Sequence, residues 1–223
     1  MANFRTHLSV ATVAGVLVGL GGRQMSLWPT LEAVPITVLI AFGGILPDID
    51  SDNSHAVRLV FTLLAALATV SGALMFQEQL APGMLLMLCA VLFLGIRYVL
   101  SAVFKHFSVH RGIWHSLLAT LLGSLLTACA SYQFFLESAW MAWAHGLALG
   151  FGMMVHLLLD ECYSVDLVGI RVKRSFGTAL KFFDYREPLN SLLMLLLMSA
   201  LIPWLPPWSA LTQLVSQGMG YWF

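Results

Sequence analysis

Two residues with metal-binding chemistry, His156 and Asp160, stand four positions apart at the end of a long apolar run. At about 100° per residue, positions i and i+4 share one helix face a turn apart, so an imidazole and a carboxylate can converge on one point. Burying ionisable groups at the end of a hydrophobic segment is costly, and a bound cation is the commonest way to satisfy two of them together. The pair is therefore expected to ligate a metal. Other donors sit at the ends of other apolar runs: His7 opens the first, Asp48 and Asp50 close the second, and His110 and His115 precede or begin the fifth.

Composition says what these runs cross. Only 10% of the residues are charged, 59% are hydrophobic and the mean hydropathy is +0.85, whereas a soluble domain carries about 25% charged residues. The chain reads as an all-α, polytopic transmembrane helix bundle, one domain over 1–223, with the bilayer as its partner. A net charge of zero argues against a nucleic-acid footprint. Cys89 and Cys129 lie in apolar runs, Cys162 lies just past Asp160, and no CxxC pairing occurs, so all three are read as unpaired thiols.

Seven runs are expected to span the membrane, the first opened by His7 and running to Gly22, then about 31–46, 57–76, 82–104, from His115 to about 132, 139–159 and 189–205. The first lacks a small-x-small cleavage site and is read as a retained helix. The second is short and holds Pro35 near its start, which predicts either a tilted run or a distorted first turn. Beyond Pro203, Pro206 and Pro207, the tail rich in Trp204, Trp208, Tyr221 and Trp222 suits an aromatic belt at the headgroups. Seven spans put the amino terminus and the connectors after the second, fourth and sixth on one side. Arg5, Arg58, Lys105, Arg111, Arg171, Lys173, Arg174, Lys181 and Arg186 fall there, Arg97 lies close by, and Arg23 falls opposite. The positive-inside rule makes the shared side cytoplasmic.

The same grouping gathers His7, Asp48, Asp50, His110, His115, His156 and Asp160 at that one face. Polar residues without a common role would be expected on either side, so the convergence calls for a shared cause. Imidazole and carboxylate donors suit Zn, Mn or Fe, and the lack of cysteine ligands argues against a closed structural zinc site. Seven donors exceed the four of one tetrahedral ion, so two ions are expected.

Asn3-Phe4-Arg5-Thr6-His7, Leu46-Pro47-Asp48-Ile49-Asp50, His110-Arg111-Gly112-Ile113-Trp114-His115-Ser116 and His156-Leu157-Leu158-Leu159-Asp160 resemble the motif set of the YdjM-type, LexA-regulated inner-membrane metal-dependent hydrolases. The resemblance implies a multi-pass inner-membrane hydrolase whose metal is held by these His and Asp residues, more distantly similar to zinc-dependent phospholipase C and P1-type nucleases. Two positions depart from the pattern: Trp114 stands where a small Thr is usual, and Ser51-Asp52 where His-Pro is frequent. The first would narrow a substrate channel; the second would remove an outer ligand or replace it with Asp52 or His55.

On this reading, metal-acidified water attacks an ester or phosphoester, including that of a lipid, at the cytoplasmic face. Asp50 or Asp52 is the expected general base, and Arg111 is expected to hold a phosphate bidentately. The basic segment from Arg171 to Arg174 either gathers anionic headgroups or only carries the positive-inside signal. Bland readings stand beside these. Asp48 and Asp50 after Pro47 could cap a turn, and His55 and His106 read as solvated interface residues. His145, eleven positions before His156, is expected to make an interhelical hydrogen bond.

Gly15-x-x-x-Gly19 and Gly146-x-x-x-Gly150 permit close helix approach, and the His7-Ala11-Gly15 stripe is expected to face the Gly152-His156-Asp160 stripe beneath the metals. The rival functions are a metal-ion or proton-coupled transporter and an inactive metal-binding scaffold. Transport sites favour the midplane on broken helices, whereas these donors gather at one interface.

Overall fold

The computed structural model describes residues 3–50, 55–103, 114–166, 171–172, 180–182 and 188–220. Its contacts divide the chain into two compact units, Met1–Pro47 with Ile113–Phe223, and Asp48–Gly112. The described residues are helical apart from loops and a two-residue antiparallel ladder that pairs Val165 with Val172 and Asp166 with Arg171.

In the first unit, α1 spans Phe4–Gln24. Asn3 caps it by accepting a hydrogen bond from the Thr6 amide at 2.9 Å, which satisfies one of the donors left open by the first turn. That cap sets the register in which His7, Ala11, Gly15, Gly19 and Gly22 form one buried stripe. A 3₁₀ turn, Thr30–Glu32, leads into α2, Ala33–Gly43, which is the distorted start that Pro35 predicts as one of two outcomes. Pro35 sits in the first turn of α2, where a missing amide proton is tolerated.

The helix that positions the site is α6, Ala139–Ser164, the most buried of the long apolar helices. Its two glycine faces serve two neighbours. A methyl group at Gly146 would approach the Ser124 carbonyl to 2.6 Å, so that face lies against α5, Leu117–Gln133; a methyl at Gly152 would run into the Ile40 carbonyl of α2. On α1, a methyl at Gly15 or Gly19 would come within 2.8 Å of the Thr37 or Ala33 carbonyl, again on α2. The expected face-to-face packing of the α1 and α6 stripes is therefore corrected. Gly15, Gly19 and Gly152 face α2, and the stripes meet at their His7 and His156–Asp160 ends. Small residues announce that a partner approaches closely without saying which helix it is.

After α6 the unit resumes with α7, Pro188–Leu201, a 3₁₀ turn Ile202–Trp204, and α8, Trp208–Met219, bent 96° from what precedes it. α7 packs on α5 through Met194 and Met198. The second unit is a helical hairpin. α3, His55–Phe76, turns at Gln77–Leu80 into α4, Pro82–Leu94, which runs on through a π-helical turn, Gly95–Leu100, to Val103. Gly72 of α3 faces Leu92 of α4.

All seven apolar runs are helical, but the count of seven spans is not reached by length. Four helices are long and apolar enough to cross a membrane, and a fifth is added if α7 and α8 count as one bent span. Thr30–Gly43 and Leu117–Gln133 are shorter apolar helices. At about 1.5 Å per residue they reach roughly 21 and 26 Å, less than a hydrocarbon core of about 30 Å.

Candidate metal centre

Four of the seven nominated ligands come together inside the first unit. His7 arrives from the second turn of α1, His156 and Asp160 from the last turns of α6, and His115 from just before Ser116, whose hydroxyl caps α5 by accepting from the Ala119 amide at 3.1 Å. All four are at least 96% buried. His7 Nε2 lies 3.2 Å from Asp160 Oδ1, while His156 Nε2 and His115 Nε2 lie 3.7 and 3.9 Å from Oδ2. The His7 and His156 rings stack with centroids 3.7 Å apart and planes 12° from parallel; His115 meets His156 edge-on at 5.5 Å.

The orientation of His156 follows from a backbone group. Its Nδ1 lies 2.8 Å from the carbonyl oxygen of Gly44, just beyond α2. A carbonyl only accepts, so Nδ1 carries the proton and donates. In the neutral ring Nε2 then presents its lone pair toward Asp160, the tautomer and the outer-shell support that metal-bound histidines ordinarily show. Gly44 comes this close because it has no side chain: a Cβ there would collide with Ala11 of α1.

Asp160 is the electrostatic centre of the cluster. Both its oxygens are buried and find no hydrogen-bond partner among the described residues, with His7 Nε2 3.2 Å from Oδ1; His7 Nδ1 is likewise buried without a partner among them. An anion in this setting is strongly penalised unless a cation compensates it. The nitrogen–oxygen separations of 3.2–3.9 Å bracket the edge of a tetrahedron with metal–ligand bonds of 2.0–2.2 Å, about 3.3–3.6 Å. His7, His156 and Asp160 present one donor atom each within 4.8 Å of one another.

Asp48 is half-buried in the 3₁₀ turn Leu46–Asp50, at the first residue of the second unit. Asp50 closes that turn and its side chain lies outside the described set, as does that of His55, which opens α3. His110, Arg111, Asp52 and His106 lie outside the described residues, as do Lys173 and Arg174. His145 behaves as its position suggests. Its Nδ1 is 2.7 Å from Ser131 Oγ on α5, and its Nε2 is 3.5 Å from Glu32 Oε2, at the end of the unit away from Asp160.

What residue reading missed is the Gly44 carbonyl, because a backbone acceptor has no side-chain signature. The Gly43-Gly44 pair at the end of an apolar run was the available signal: two adjacent residues without Cβ mark close backbone approach. A methyl at Gly43 would meet the Leu149 carbonyl of α6, so both glycines of the pair are used.

Compared with known proteins, the chain matches the model of the YdjM inner membrane protein family over residues 1–172 and belongs to that family. The matched span holds all four clustered side chains and Gly44. No curated protein and no solved structure matches the chain.

Proposed function

We propose that this member of the YdjM inner membrane protein family is a metal-dependent hydrolase that uses water on an ester or phosphoester at the cytoplasmic face of the membrane. The observation that carries the reading is Asp160, whose two buried oxygens find no hydrogen-bond partner among the described residues while three imidazoles surround them at 3.2–3.9 Å. Three imidazoles and a carboxylate without a thiolate suit zinc, with manganese and iron as alternatives. When bound, such an ion supplies Lewis acidity and lowers the pKa of water toward about 7.

The chain's own contribution is to hold the donors ready. His156 is held by Gly44 through Nδ1 and turns Nε2 toward Asp160, whereas Asp160 turns one oxygen toward His7 and the other toward His115 and His156. A carboxylate open in both directions supports two ions. The stack of His7 on His156 and the Gly44 carbonyl restrain both rings, so little reorganisation accompanies loading. For Asp48, Asp50 and His110 as ligands, Asp50 as general base and Arg111 as the phosphate-holding cation, the support is that of the sequence motifs, and each is tested by its own substitution. The cytoplasmic orientation rests on the distribution of Lys and Arg.

Transport draws less support. Along α6 between His145 and His156 the buried residues are glycines, Ala148, Leu149 and Met153, which offer no relay for a cation or a proton. The test is metal analysis of the purified protein, with hydrolysis assays on phospholipid, phosphodiester and carboxylester panels for the wild type and His156→Ala. Zinc, manganese or iron in the wild type and turnover lost with the ion are expected. A folded protein that takes up none of the three would sink the metal centre; a loaded protein inert on every panel would leave the scaffold and remove the hydrolase.

A further inference from the structure

The last helix, α8, divides its surface three ways. At about 100° per residue, Ala210, Leu211 and Leu214 lie on one side, and these pack against the core cluster that contains Trp143 and Ala144 of α6. Trp208, Val215 and Met219 fall on a second stripe, 52%, 43% and 54% exposed. Ser209, Gln213 and Ser216 fall on a third, also exposed. A helix in water has no use for the second stripe, and a helix crossing lipid has no use for the third. Twelve residues reach only about 18 Å, too short to re-cross the bilayer.

Its placement is fixed by hydrogen bonds at the far end of the unit. Trp143 Nε1 donates to the Pro207 carbonyl at 3.1 Å, the Trp143 and Trp208 rings lie 4.9 Å apart, and Gln133 Nε2 donates to the Trp204 carbonyl at 2.8 Å. Trp143 precedes Asp160 by 17 residues on one helix, about 25 Å along its axis, close to one hydrocarbon thickness. α7 leads there with Leu192, Leu193, Leu196 and Leu197 exposed along its length, and α8 turns away at 96°.

We propose that α8 lies flat in the membrane interface opposite the metal centre, with Trp208, Val215 and Met219 embedded in lipid and Ser209, Gln213 and Ser216 in water. The partner is the lipid leaflet of that face. Trp208–Met219 contains no charged residue, so the contact is apolar and independent of anionic headgroups. The exposed stripe continues the lipid-facing surface of α7 and needs no second protein.

The test places single nitroxide labels at positions 209, 213, 215, 216 and 219 of the full chain in vesicles, in a background with Cys89→Ala and Cys162→Ser. Collision rates with oxygen and with a water-soluble nickel chelate are then measured. An oxygen-to-nickel ratio several-fold higher at 215 and 219 than at 209, 213 and 216 is expected, and the same in phosphatidylcholine alone as in mixtures with phosphatidylglycerol. Equal nickel access at all five positions would put α8 in water and overturn the proposal. Exclusion of both reagents from 215 and 219 would mean that a second copy or another protein covers the stripe, and would overturn it equally. A ratio that collapses without phosphatidylglycerol would overturn the charge-free contact.

Discussion

Replacing Asp160 by Asn separates a metal centre from an ordinary buried ion pair, because the two give opposite signs. In chelated protein the carboxylate is a buried anion without a hydrogen-bond partner among the described residues. An amide of the same shape removes that charge and can turn its NH₂ toward His156 Nε2, whose lone pair is left facing it by the proton on the Gly44 side. Relieving one unsatisfied buried group is worth about 1–3 kcal/mol, so chelated Asp160→Asn is expected to be as stable as the wild type or more stable by that amount. Zinc reverses the order. At 1,000 times its Kd an ion adds about 4 kcal/mol to the wild type, and a variant binding 100-fold more weakly gains only about 1.4. The assay is thermal unfolding of both proteins in lipid nanodiscs, with chelator and with added zinc, manganese or iron. If Asp160 served instead as the partner of an imidazolium, the variant would lose about 3–5 kcal/mol with no metal present. That loss, or a wild-type melting temperature that none of the three metals raises, would refute the reasoning.

Gly44→Ala tests the support behind the centre. The new methyl collides with Ala11, so the carbonyl moves from His156 and metal affinity should fall about 10–100-fold with every ligand intact, measured by competition with a chromogenic chelator. Gly146→Val acts on the opposite face of α6, against the Ser124 carbonyl. It should lower stability by about 1–3 kcal/mol of overpacking while metal content per folded chain stays unchanged. His145→Gln and Ser131→Ala each remove the same interhelical hydrogen bond, at about 1 kcal/mol. The double variant should be little worse than either single one, and unchanged zinc stoichiometry in all three is expected; loss of zinc from any of them would connect the two ends of the unit.

The site was legible where chemistry and periodicity coincide. His156 and Asp160 share a helix face wherever that helix packs, and His7 heads the buried stripe of α1 that brings it to Asp160. Packing between helices was less legible, for a physical reason. A glycine stripe is a concavity, and it accepts whichever neighbour brings a backbone to it. Gly15 and Gly152 both received α2, so α2 inserts between two stripes that residue spacing alone would have joined. Span number was ambiguous for a related reason. Hydropathy measures which residues avoid water, and a short helix such as α2, with Ile36 and Ile40 wholly buried and Val34 and Val38 exposed, is as apolar as a full span because protein covers one side of it and lipid the other. The shortness of α2 has a consequence at the site. Ending at Gly43 rather than crossing further, it leaves the Gly44 carbonyl free of the helix and available to His156. Had α2 continued for another turn, that carbonyl would have been committed to an amide four residues on, and the ring of His156 would have lost the acceptor that turns its other nitrogen toward Asp160.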